Sequence, residues 1–222
     1  MFKYRNFKRT EGIRSGRLFV IATEGKDTER IYFETLRKEI QMSQIKLEIL
    51  PSENNESAPN KVFDRLTDYH DKYDIEDDDQ LWLVIDKDKW TDKMLSGIAQ
   101  LCNEKKRFFM GLSNPCFELW LLLHFEDISK YTIVEKEKIL TNKKIRGTTF
   151  LKRKMRSVLG SYSESSYDAK AILANVNAAI ERASLLDTKP RQRWPQNIGT
   201  RVYKLVSNIL EEFQKHNSRS GL

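Results

Sequence analysis

Cysteine is scarce: the chain of 222 residues holds two, Cys102 and Cys116, alongside three histidines. With no second cysteine pair and no histidine at zinc-ligand spacing, a disulfide framework and a zinc finger are both excluded, and two buried free thiols are expected. Prolines (5) and glycines (9) are few, and no repeat or low-complexity segment occurs. No apolar run approaches the roughly 20 residues that cross a bilayer. The N-terminus is basic and polar, without a signal-like apolar core, so a cytoplasmic protein with no membrane partner is expected.

What is present describes a globular chain. Hydrophobic residues make up 39% and charged residues 32%, with a mean hydropathy of −0.62. That composition can bury a real core. The net charge of +7 is unevenly spread: residues 1–111 carry 20 basic and 21 acidic side chains, residues 112–222 carry 19 and 11. Two acid-free stretches hold much of the excess. "KKIRGTTFLKRKMR" (143–156) contains Lys143, Lys144, Arg146, Lys152, Arg153, Lys154 and Arg156; "KPRQRWPQNIGTRVYK" (189–204) contains Arg191, Arg193 and Arg201 around Trp194. Such stretches suit a phosphate backbone, where each neutralised phosphate releases counterions. A solvated face or a seat for an acidic protein gives the same pattern.

Along the chain, residues 1–16 read as a basic arm. "RLFVIATEG" reads as a strand turning at Gly25, followed by a helix capped at Asp27 or Thr28 with Ile31, Tyr32, Phe33, Leu36 and Ile40 on one side. "IKLEILPS" alternates with period two. The "ENNESAPN" loop leads to a helix bearing Val62, Phe63, Leu66 and Tyr69, and the acid-rich "DIEDDD" (74–79) reads as a solvated loop. "QLWLVIDKDKW" (80–90) is the most apolar strand, then comes a helix with Met94, Leu95, Ile98 and Leu101, then the strand "RFFMGLS". Alternating strands and helices predict an α/β fold: a mostly parallel, Rossmann-like sheet with helices on both faces. From about residue 126 the pattern turns helical, with helices expected over 167–186 and 200–215, which gives a core over 17–130 and a basic helical extension over 131–222.

The apolar strand ends in two acids. On an extended chain Asp86 and Asp88 share a face about 7 Å apart, within reach of one hydrated magnesium or manganese ion or two neighbouring ions. Glu24 ends another predicted strand, and parallel sheets gather ligands beyond their carboxyl ends, so Glu24, Asp86 and Asp88 are expected to converge. Crowded carboxylates repel unless a cation or proton intervenes. Lys87 and Lys89 could equally pair with the aspartates, and Glu29 could serve the first turn of its helix.

"NPCFELWLLLHF" (114–125) is apolar around the whole helical circumference, so Glu118 is buried and needs a metal, an arginine or a proton as partner. His124 is either a hydrogen-bonded core residue or part of a site. "TEGKDT" fails as a phosphate-binding loop, with Val20 where the first glycine belongs and Asp27 where Ser/Thr belongs, so no ATP hydrolysis by that route is expected.

"ATEGKDTERIYFETL" (22–36), "VIDKDK" (84–89) and "LSNPCFELWLLLHF" (112–125) together resemble the RloB/AbiLii family, whose core is Toprim-like. The resemblance implies Glu24 as general base or metal ligand, Asp86 and Asp88 as Mg²⁺ or Mn²⁺ ligands, and Glu29 as a further acid. Glu118 lies in a motif particular to the RloB-like group. An "NPST"-like segment is expected before the last helix, and "QNIGT" (196–200) departs from it. The family is associated with antiphage abortive infection beside a separately encoded ATPase. The resulting expectation is a metal-dependent nuclease acting on RNA, tRNA included, or on DNA. Lys87 or Lys89 would offset leaving-group charge, the basic second half would hold the nucleic acid with Trp194 and Tyr203 stacking, and a homo-oligomer is possible. The rivals are a non-catalytic nucleic-acid-binding or sensor subunit and a phosphatase of small substrates.

Overall fold

The computed structural model describes residues 16–40, 44–52 and 58–220, with residues 219 and 220 described by backbone alone. The basic arm, Gly16 aside, and residues 53–57 of the "ENNESAPN" loop lie outside the described residues.

Strands and helices alternate through the first half: β1 (Arg17–Thr23), α1 (Thr28–Glu39), β2 (Ile45–Leu50), α2 (Pro59–Lys72), β3 (Gln80–Asp86), α3 (Asp92–Glu104) and β4 (Phe108–Asn114). The sheet order is β2-β1-β3-β4, all parallel, with the two-residue β5 (Gly199–Thr200) antiparallel on the β4 edge. This is the expected α/β, Rossmann-like architecture. The second half supplies α4 (Glu118–Leu123), α5 (Ile133–Thr141), α6 (Phe150–Leu159), α7 (Ala169–Leu173), α8 (Val176–Leu186) and α9 (Val202–Ser220).

Period-two alternation divides the core between the sheet faces. Phe19, Ile21, Trp82 and Val84 pack with Tyr32 and Phe33 of α1, with α4, and with Leu205 and Ile209 of α9. Val20, Leu81, Leu83 and Ile85 pack on the other face with Val62 and Leu66 of α2 and Leu95 and Ile98 of α3. Because β1 leads to α1 on one face while β2 returns through α2 on the other, the chain changes direction between β1 and β3. A crevice therefore opens at the carboxyl ends of those two neighbours. Continuing the alternation through Trp82 and Val84 assigns Asp86 to the α1 and α4 side.

Several local expectations shift. In α3 the buried face is Leu95, Ile98, Ala99 and Cys102, whereas Met94 and Leu101 are 41% and 42% exposed. The helix expected over 167–186 is interrupted at Ala174 and Asn175, and Asp168 caps its first piece by accepting from Ala171 N at 2.9 Å. The "DIEDDD" stretch is not wholly solvated: Asp79 is buried and accepts from Leu18 N (2.9 Å) and Glu76 N (2.8 Å). Buried carboxylates need such donors. The "QNIGT" segment forms β5 and its approach, where Arg201 N donates to Leu112 O at 2.9 Å.

Candidate functional site: a carboxylate cluster at the β1–β3 crevice

Strand β1 ends at Thr23, and the chain bends so that Glu24 lies across the crevice. Glu24 N donates to Val84 O (2.9 Å), while its Oε2 accepts from Asp86 N (3.1 Å) and from the Trp90 indole (3.0 Å). Gly25 follows because nothing larger fits: a Cβ there would lie 2.0 Å from Glu29 Oε2. That close approach lets Gly25 N donate to Glu29 Oε1 at 3.0 Å, folding the first-turn acid of α1 back onto the turn. Strand β3 delivers Asp86, and Asp88 stands on the turn beyond it, closed by Trp90 N donating to Lys87 O (3.1 Å). The expectation of a shared strand face for the two aspartates is thus corrected, since the strand ends at Asp86. The turn is fixed from below, where Pro115 O accepts from both Lys87 N and Asp88 N at 3.1 Å.

Glu118 enters from the all-apolar helix α4 and is buried. Its side-chain partners among the described residues are a tyrosine and a lysine rather than an arginine. Tyr162 OH donates to Glu118 Oε1 at 3.3 Å, and the Lys152 ammonium lies 3.9 Å from the same oxygen. His124 takes its core role: Nδ1 lies 2.9 Å from Trp120 O, so it donates there, and Nε2 accepts from Tyr32 OH at 3.2 Å. Burial holds its imidazole down at about 4, keeping it neutral.

Electrostatics binds the acids into one unit. Burial, followed by the charges of Glu29, Glu24, Glu118 and Asp88, pushes the Asp86 carboxyl well above the usual carboxylate range. Burial, with Glu118 and Glu24 adding to it, lifts Glu29 to about 7 against its hydrogen bond from Gly25. Glu24 is also raised by burial, although the Trp90 and Asp86 donors pull it down, and Asp88 is raised by burial against the pull of Lys89 and Lys152. Lys89 lies 3.8 Å from Glu24 Oε1 and keeps its charge: burial works against it, and Glu24, Asp88 and Asp86 outweigh that. The Lys87 ammonium pairs with Asp92 at the start of α3 (3.3 Å). Among the described residues nothing donates a hydrogen bond to the buried Glu24 Oε1.

The all-oxygen donor set is the chemistry of a hard divalent cation, and an orphaned carboxylate oxygen is what such an ion satisfies. Among the described residues no group of three or more His, Cys, Asp or Glu side chains stands ready-made to hold a metal ion. The oxygen donors suit such an ion in kind.

The basic residues divide. Lys143, Lys144, Arg146, Arg156, Arg191 and Arg193 are exposed. Lys154 pairs with Glu126 at 3.2 Å, and the Arg153 guanidinium lies over Phe150 at 5.9 Å. Two expected nucleic-acid contacts are structural instead. Trp194 is 4% exposed within the α2–α3 core and cannot stack on a base. Arg201 is 6% exposed, forks onto Asp187 (3.1 and 3.2 Å) and donates to the carbonyls of Lys189, Pro190, Gln192 and Arg193. Tyr203 donates its hydroxyl to Asp187 at 3.2 Å. Arg201 therefore clamps the loop that displays Arg191 and Arg193. Asn114 holds the far end of that loop by donating to the carbonyls of Pro195, Gln196 and Asn197 (3.2, 3.1 and 3.0 Å), which sets it at the carboxyl edge of the sheet.

Sequence reasoning missed Trp90, Tyr162 and Lys152 as neighbours of the carboxylates. A tryptophan straight after "DKDK" is out of place in a solvated turn, and that oddity was the available signal for Trp90. Tyr162 gave none. No helix is long and apolar enough to cross a membrane among the described residues.

No curated protein and no solved structure matches the chain. A family model, that of the RloB-like proteins, matches residues 19–209 and so takes in the carboxylate cluster, the clamped loop and the first two turns of α9. On that match, which spans most of the sequence, the chain belongs to the RloB-like protein family.

Proposed function

We propose that the protein is a divalent-metal-dependent nuclease of Toprim type that hydrolyses phosphodiester bonds at the β1–β3 crevice. The carrying observation is the carboxylate cluster in which Glu29, Glu24, Glu118 and Asp88 add to burial in raising the proton affinity of Asp86, beside a Glu24 Oε1 that accepts no hydrogen bond among the described residues. Mg²⁺ or Mn²⁺ held by Glu24, Asp86 and Asp88, with Glu29 adjoining, would polarise the phosphate and lower the pKa of an attacking water. Glu24 Oε1 is the oxygen best placed to ligate or to take a proton from that water, since the other oxygen is committed to Asp86 N and Trp90. Lys89 supplies positive charge at the exposed rim, as one of the two lysines expected to do so. The exposed Arg191 and Arg193, on a loop held by Arg201 and Asn114, would track the phosphate backbone.

The test is incubation of the purified chain with labelled RNA and DNA, with Mg²⁺, with Mn²⁺ and with EDTA. Metal-dependent cleavage that disappears in Glu24→Gln and Asp86→Asn is expected. Cleavage that survives both substitutions removes the assignment.

A second reading, a non-catalytic nucleic-acid-binding or sensor subunit, is favoured by Lys89 and Lys152 already opposing the cluster's charge. It calls for binding without cleavage under every metal condition. A role in antiphage defence beside a separate ATPase, in the cytoplasm, rests on the family resemblance.

A further inference from the structure

We infer that Lys152 is the phosphodiester contact of the crevice and that Glu164 occupies its place when no nucleic acid is bound. This deepens the nuclease reading and rests on it for the identity of the anion. The Lys152 ammonium is shared between two carboxylates, Glu164 at 2.5 Å and Glu118 at 3.9 Å. Its charge reaches Asp88, the exposed acid at the mouth of the cluster. Lys152 thus meets the acids from α6, as Lys89 does from the β3 turn.

Glu164 sits on the turn 163–166, whose ends are tied by reciprocal Ser163 and Ser166 backbone bonds of 3.0 and 3.1 Å. The turn is anchored without its carboxylate. Tyr162 on one side is buried and donates to Glu118, Tyr167 on the other donates to Thr28 O at 2.6 Å, and it is the backbone carbonyl of Glu164 that accepts from Thr28 Oγ1 at 3.3 Å. The Glu164 side chain is 59% exposed while that of Lys152 is 25% exposed. The carboxylate can therefore leave while the backbone stays. An ion pair with one partner in water is worth little, and a phosphodiester oxygen offers the ammonium the same charge-assisted bond, so the exchange is close to balanced.

The test is a double-mutant cycle on the full chain, read by anisotropy of short fluorescein-labelled single-stranded RNA and DNA in EDTA, where the metal-dependent reaction is off. Glu164→Gln is expected to tighten binding of at least one probe about threefold, the scale of one partly exposed ion pair. Lys152→Met is expected to weaken it comparably, Lys152→Arg to restore it, and the double variant to bind as Lys152→Met does. Unchanged affinity in Glu164→Gln overturns the proposal. So does equal tightening in the Lys152→Met background, which is a bulk charge effect, and so does the absence of binding to either probe. Coupling without cleavage in Mg²⁺ or Mn²⁺ removes the nuclease reading and keeps the contact; cleavage without coupling does the reverse.

Discussion

Replacing Glu29 with glutamine should stabilise the protein, and by an amount that depends on pH. The carboxyl is buried at the start of α1, and burial with the Glu118 and Glu24 charges lifts it from 4.5 to about 7. In the unfolded chain it loses its proton near 4.5. The fold keeps the proton to about 7, so the favourable contribution is complete below pH 4.5, declines as pH rises, and is gone above 7. At 1.36 kcal/mol per pKa unit that is about 3 kcal/mol. Glutamine keeps an oxygen for Gly25 N, which donates to Glu29 Oε1 at 3.0 Å, and carries no charge for Glu118 and Glu24 to repel. Urea unfolding in EDTA should find Glu29→Gln close to wild type at pH 4.5 and more stable by about 3 kcal/mol at pH 8. In a chain of this size that is a rise in Tm of roughly 6–12 °C. Mg²⁺ at pH 8 should stabilise the wild type more than the variant, since the cation relieves the same repulsion. A variant that is less stable at pH 8, or whose gain is the same at both pH values, would refute the idea that these acids repel one another within one site.

His124 should act in the opposite sense. Burial holds its imidazole at about 4 against 6.5 when unfolded, so its contribution is intact above pH 6.5 and lost as pH falls toward 4, about 3 kcal/mol in all. The two slopes oppose each other, so His124→Gln should make stability fall more steeply with rising pH between about 4.5 and 6.5 than it does in the wild type, read from the same urea series. Arg201→Ala should cost about 3–5 kcal/mol in urea unfolding, because it strands the buried Asp187 carboxylate and frees four carbonyls. Adding Asp187→Asn should recover part of that loss.

The sheet was legible because its strands obey one simple rule. Residues 81–85 are apolar at every position, as a strand covered on both faces must be, while β2 alternates because only one of its faces is fully covered. Helix faces were less so. Met94 and Leu101 fall on an apolar arc with Leu95 and Ile98 when the sequence is wound at 3.6 residues per turn, yet the sheet reaches only the side bearing Ala99 and Cys102. Periodicity gives the width of an apolar stripe, and only the partner surface decides which edge of it is covered. The same limit hid the break at Ala174 and Asn175, two residues that a helix tolerates and that nothing local forbids.

The site shows where such reasoning stops. Glu24 and Asp86 could be foreseen as neighbours because both end parallel strands, and strand order alone then puts them at one crevice. Lys152 and Tyr162 reach Glu118 through packing of α6 and the following turn against α4, a contact between segments with no shared period, so Lys152 looked like any other lysine in an acid-free run. Arg201 and Trp194 misled for a related reason. Composition cannot separate a basic residue that meets solvent from one that a buried aspartate and four carbonyls have captured, and a guanidinium serves both uses equally well. What distinguishes them is the acid fourteen residues earlier, Asp187, which lies just outside the acid-free window and is itself buried at the end of α8. A basic run is therefore better weighed together with the acids that flank it, since a flanking acid that folding buries will claim one of the run's own cations as its partner.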